Sequence, residues 1–103
     1  MKVVKVLSER ISEEISDARF YAKAALEYAK DYPSVAGVLY DLSMQEMEHS
    51  NMLHNAVVDV IDKYRAEHGD PPPQMLAVYD YLHTQQIDAA ATVKTLQSMY
   101  KSV

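Results

Sequence analysis

The chain contains no cysteine. That removes disulfides, zinc ribbons, iron–sulfur clusters and cysteine nucleophiles together, and it leaves the redox compartment open. Glycine is scarce too, with two residues, and three of the four prolines sit side by side. So little turn chemistry excludes a many-stranded β fold. Basic residues are outnumbered, ten Lys and Arg against fifteen Asp and Glu, for a net charge of −5. With no basic patch to neutralise phosphates, nucleic acid is not an expected partner. No apolar run approaches the roughly 18 residues that span a bilayer. The start, Met1 to Leu7, is too short an apolar run for a signal peptide before Ser8 and Glu9 intervene. A soluble, cytoplasmic chain without a membrane partner is the expectation.

What is present is ordinary globular composition, 49% hydrophobic and 24% charged over 103 residues. This predicts one domain, residues 1–103, burying roughly 60–65% of its unfolded surface. Two breaks divide it. Asp31-Tyr32-Pro33-Ser34 interrupts a helical pattern, and Pro33 suits the first turn of a following helix. Gly69-Asp70-Pro71-Pro72-Pro73 is a full stop, with Gly69 free to take a left-handed cap and prolines that cannot continue a helix. The spacing predicts three helices, over about 4–31, 34–67 and 73–101. The fold class is all-α: a long antiparallel hairpin plus a third helix.

Apolar or small residues recur every three or four positions. The first helix carries Leu7, Ile11, Ile15, Ala18, Ala22, Ala25 and Ala29; the second Val35, Leu39, Leu42, Leu53, Val57, Val60 or Ile61, and Tyr64. The third has a weaker stripe, Met75, Val78, Leu82, Ala89, Val93, Leu96 and Tyr100, with Gln85 and Gln86 in its middle. Helices of about 30 residues are roughly 45 Å long. So much length in one small chain leaves apolar surface uncovered, and a homodimer of hairpins, or a higher oligomer, closes it as a four-helix bundle.

The stripe of the second helix has a polar gap. Steps of four, three and four from Leu42 land on Glu46, His49 and Leu53, which puts a carboxylate and an imidazole where the pattern asks for core. A buried carboxylate needs a partner or a metal. On the first helix Glu14, beside Ile15, also points inward. Glu46-Met47-Glu48-His49 is a Glu-x-x-His, whose ends share one helix face. One such motif plus one lone Glu is half of a carboxylate-bridged di-metal site, which takes two of each from four helices. A twofold dimer would double the set. Seven Glu and four His in this length give about 0.27 such pairs by chance, so the motif gains its weight from lying on the buried stripe beside an inward Glu. The alternative is a hydrogen-bonded Glu46–His49 pair fixing the register of a helical interaction module, with Tyr79, Tyr81 and Tyr100 in a partner interface.

These residues carry a resemblance. Glu14-Ile15-Ser16-Asp17-Ala18-Arg19-Phe20-Tyr21 resembles the first helix of rubrerythrins and other ferritin-like di-iron proteins, and Leu42 through Leu53 is similar to their second. The pattern covers about residues 8–64. It implies a ferritin-like domain in which Glu14, Glu46 and His49 bind iron, with Glu46 bridging two ions. Manganese or zinc fits the same donors. The half-site is also similar to that of encapsulated ferritins, which complete a ferroxidase centre across a dimer interface. The resemblance thus implies oxidation of Fe(II) by dioxygen or peroxide for iron handling or oxidant removal, with an external electron donor or a protein shell as further partners. A second Glu with Glu-x-x-His, and the cysteine-rich electron-transfer domain of rubrerythrins, do not occur in this sequence.

Other polar residues read more plainly. Asp80 and His83 share a face on the third helix, either as helix surface or as added ligands. Glu13 and Asp17 form a solvated edge or an acidic path for cations. His54 is rotated off the ligand face and reads as peripheral, and His68 suits the dipole of a helix end. Tyr21, one heptad from Glu14, either packs or serves a ligand. Met44, Met47 and Met52 read as gap-fillers.

Overall fold

The computed structural model describes residues 1–103 as three helices with no strand: α1 (Lys2–Tyr28), α2 (Pro33–His68) and α3 (Pro73–Lys101). Both later helices begin on a proline, whose fixed φ suits a first turn and whose missing N–H is not needed there. α1 starts earlier and stops earlier than the spacing predicts. Tyr32, preceding Pro33, is pushed off helical geometry to φ −136°, ψ 66°. The chain therefore leaves the helix at Tyr28 and bridges with a Tyr32 N–H to Tyr28 carbonyl bond of 2.9 Å. At the other break Gly69 takes φ 79° and donates to the Arg65 carbonyl at 3.0 Å. Its ψ of −165° is extended, so the positive φ is met without the left-handed helical cap.

The 36 residues of α2 set the length of the molecule, 56 × 18 × 18 Å. Its radius of gyration is 16.4 Å, against about 13 Å for a compact chain of this size. Such a rod keeps much of each helix at its surface, and only 18 of 103 residues are buried. No helix is long and apolar enough to cross a membrane.

α1 is the central element: it packs along α2 as an antiparallel partner and along α3 as a parallel one, while α2 and α3 touch at few points. The α1 stripe is buried as predicted at Ile11, Ile15, Ala18, Ala22 and Ala25. With Val4, Val57, Ile61 and Val93 these residues supply the apolar core. On α2 Val57 and Ile61 are buried as predicted, but the rest of the buried row differs from the predicted one: Ala36, Ser43 and Ser50 lead into Val57 at steps of seven residues. Small side chains there let the two backbones approach, and Ser43 Oγ donates to the Ala18 carbonyl at 2.7 Å. The bulkier row Leu39, Leu42, Leu53 and Val60 lies on the shoulder of the hairpin, half-buried, and Val35 is exposed.

α3 docks through polar groups. Gln86, in the polar middle of its stripe, and Gln97, near its end, are buried. Gln86 Nε2 donates to the Ser8 carbonyl (3.0 Å) and Ser12 Oγ (3.1 Å), and Gln97 Nε2 donates to Ser43 Oγ (2.9 Å). No buried side-chain polar atom lacks a partner. Val78 and Ala89, expected in the core, are exposed instead. Tyr40 against Tyr100 and His54 against His83, with ring centroids 4.8 and 5.0 Å apart, add the thin α2–α3 contact.

Candidate metal centre

Glu14 comes from the middle of α1 and Glu46 and His49 from α2, where the Glu-x-x-His spacing puts both on one flank. The hairpin brings the three together: one ligand atom from each lies within 4.8 Å of the others. His49 Nδ1 is 3.8 Å from Glu14 Oε2 and 3.9 Å from Glu46 Oε1. Both separations exceed a hydrogen bond. The Glu46–His49 pair is therefore not the hydrogen-bonded register pin of the alternative reading. Three donor atoms converge without bonding one another.

A cation held at about 2.0–2.2 Å puts its ligand atoms about 3–4 Å apart. The two separations from His49 already lie in that range, and the whole group spans no more than 4.8 Å. Two carboxylates and one imidazole suit iron, manganese or zinc. The only cation in direct contact is Arg10, whose Nη2 donates to Glu14 Oε1 at 2.6 Å while its Nη1 pairs with Glu13.

Burial is graded across the group. Side-chain exposure is 10% for Glu14, 19% for Glu46 and 54% for His49. The sequence pattern put all three on the core stripe, but His49 opens outward. The flank they occupy is not the one that α3 covers. At about 100° per residue, Glu46 lies about 80–120° around α2 from His54 and Tyr40, which meet α3. The open flank of the hairpin thus carries the candidate ligands, with Leu42 and Leu53 half-buried beside them.

Matching against known families aligns residues 5–101 with Rubrerythrin. The chain belongs to the rubrerythrin family. The match runs through α3 as well as the hairpin, so the third helix is part of this rubrerythrin-family domain. It is a ferritin-like di-iron family, and the chain carries a candidate Glu/His metal group. Searches of curated proteins and of solved structures gave no match.

The remaining sequence candidates fall outside the centre. Asp80 is exposed, and His83 stacks between His54 (5.0 Å) and Tyr79 (5.7 Å), so α3 adds nothing to the triad. His54 is half-buried in that stack and not peripheral as predicted; burial and the neighbouring His83 hold its pKa below the usual 6.5. Burial and Asp80 push the Tyr79 phenol above its usual 10.0. Tyr21 is half-buried, edge-on to Phe20 at 5.7 Å. Asp17 is exposed, and His68 sits exposed against Tyr64 at 5.0 Å. Sequence reasoning passed over Arg10. Its signal was available in the three- and four-residue spacing to Glu13 and Glu14, which on a helix makes neighbours.

Proposed function

We propose that two copies of this chain pack hairpin against hairpin on the open flank and build a di-iron carboxylate centre that oxidises Fe(II). Each copy would supply Glu14, Glu46 and His49, giving four carboxylates and two imidazoles for two ions. The observation that carries the reading is the half-set itself: one Glu and one Glu-x-x-His, converging within 4.8 Å on a flank the chain leaves uncovered. Val35 and Val38 are exposed on α2, and half-buried Leu39, Leu42, Leu53 and Val60 lie with them on the shoulder. Apolar surface of this kind is what a second hairpin would cover.

The donors fit the reaction. Glu46, on the seam, would bridge the ions, with Glu14 and His49 completing the ligands on either side. Iron held by these residues would supply one electron per Fe(II): two Fe(II), dioxygen and two protons would give two Fe(III) and hydrogen peroxide, or two Fe(II), peroxide and two protons would give two Fe(III) and two waters. Carboxylates favour the harder Fe(III) and so favour the oxidised side, while neutral imidazole holds Fe(II) beforehand. Such a reaction serves iron handling or oxidant removal.

The shared-site reading is tested by sedimentation of the metal-free chain against increasing Fe(II) under anaerobic conditions. Dimers that saturate at one iron per chain are expected. A monomer that binds iron with the same affinity at every chain concentration would refute the shared site.

A further inference from the structure

Arg10 holds the one ligand that is most buried. Its guanidinium forks, one arm on Glu14 Oε1 at 2.6 Å and the other on Glu13. Glu14 is 10% exposed and turns its second oxygen, Oε2, toward His49 at 3.8 Å. Glu13 is 60% exposed and Arg10 itself 52%. One oxygen of Glu14 thus faces the open side of the triad, and the other is already bound to a cation supplied by the chain. Glu14 can offer a metal both of its oxygens only when Oε1 is released from Arg10. With Arg10 in place the site offers an incoming divalent ion a net charge of −1 instead of −2, and a positive group near its position.

We propose that Arg10 is a built-in counter-cation that metal displaces: it neutralises Glu14 until metal arrives and swings fully onto Glu13 as the metal binds. This rests on Glu14, Glu46 and His49 being the metal ligands. The device has a physical use. A carboxylate as buried as Glu14 is costly to leave unpaired, and a guanidinium satisfies it with a charge-assisted bond. Glu13, one residue away and solvated, is the acceptor that receives Arg10 when the metal takes over. Half-exposure of Arg10 screens its repulsion, so the effect is of moderate size.

Two roles for Arg10 predict opposite signs. A displaceable counter-cation competes with metal, so removing it tightens binding. An organiser that holds Glu14 in its coordinating rotamer helps metal, so removing it weakens binding. The experiment titrates cobalt(II) alone into the metal-free protein and its variants by calorimetry, with thermal melts confirming that each variant folds. Arg10→Gln is expected to bind cobalt about tenfold more tightly than the parent. Glu13→Gln, which denies Arg10 its second acceptor, is expected to bind a few-fold more weakly. In Arg10→Gln/Glu13→Gln the loss from Glu13→Gln vanishes, because there is no guanidinium to receive.

Equal or weaker binding by Arg10→Gln, with the parent binding well, overturns the proposal and leaves the ligand assignment intact. A Glu13→Gln defect that persists without Arg10 overturns the hand-over, since Glu13 would then attract cations directly. Should neither the parent nor Arg10→Gln bind cobalt, the ligand reading falls and the displacement falls with it.

Discussion

The attachment of α3 to the hairpin depends on a short polar chain, and it can be dissected. Ser43 is fully buried, accepts from Gln97 Nε2 at 2.9 Å and donates to the Ala18 carbonyl at 2.7 Å. Replacing Ser43 by Ala removes both bonds. Ala18 sits inside α1 and retains its helical bond, so little is lost on that side. The Gln97 amide, also buried, is left without a partner, at about 1–3 kcal/mol. A total near 2 kcal/mol follows, which lowers the melting temperature by about 8–16 °C for a domain of this size. Gln97→Leu alone leaves Ser43 bonded to Ala18 and is expected to cost less than about 1 kcal/mol. In Ser43→Ala/Gln97→Leu no buried polar group is stranded, so the double variant should recover most of the Ser43→Ala loss. The assay is reversible urea and thermal unfolding of the metal-free chain at one fixed concentration. If the double variant is as unstable as the sum of the two singles, the network account of α3 docking is wrong.

Three further outcomes are expected. Gly69→Ala forces a Cβ onto φ 79°, ψ −165°, a region glycine alone tolerates, and should cost about 1–3 kcal/mol in unfolding experiments although no atom crowds the site. His54, held below the usual 6.5 by burial and His83, takes up protons more readily in the unfolded chain than in the folded one. Its contribution is therefore intact above 6.5 and is lost as pH falls from there toward its lowered value; melting temperatures across that range should drop in the parent and drop less in His54→Gln. Glu46→Ala removes a largely buried charge, so the metal-free protein should melt at the same temperature or higher. With metal at a hundred times its dissociation constant the parent should gain about 2.7 kcal/mol that the variant lacks.

The hairpin and the triad were legible because both are written in local spacing. Pro33 and the Gly69–Pro73 run mark the breaks wherever they occur, and Glu46 with His49 is a three-residue step whose helical meaning is fixed. Glu14 needed the register of two helices, and the stripe of α1 supplied it. What could not be read was polar burial. Ser43, Gln86 and Gln97 are hydrophilic by type, and nothing local shows that each meets a partner on another helix. The apolar spacing of α2 puts Leu39, Leu42 and Leu53 in the core, yet the close approach of α1 and α2 selects the small row Ala36, Ser43 and Ser50. His49 on the same shoulder is consequently more open than its pattern suggested. His54 and His83 are separated by 29 positions and meet only because α3 returns along the bundle.

Glu14, Glu46 and His49 are proposed to bind iron and support its oxidation. The direct measurement loads the purified protein with Fe(II) without oxygen, admits oxygen and follows ferric absorbance, beside a Glu46→Ala/His49→Ala variant. Rapid oxidation that saturates near one iron per chain, and is lost in the variant, is the predicted result. Equal, slow oxidation in both proteins with no retained metal would contradict it, and the chain would then stand as a helical interaction module of the rubrerythrin family.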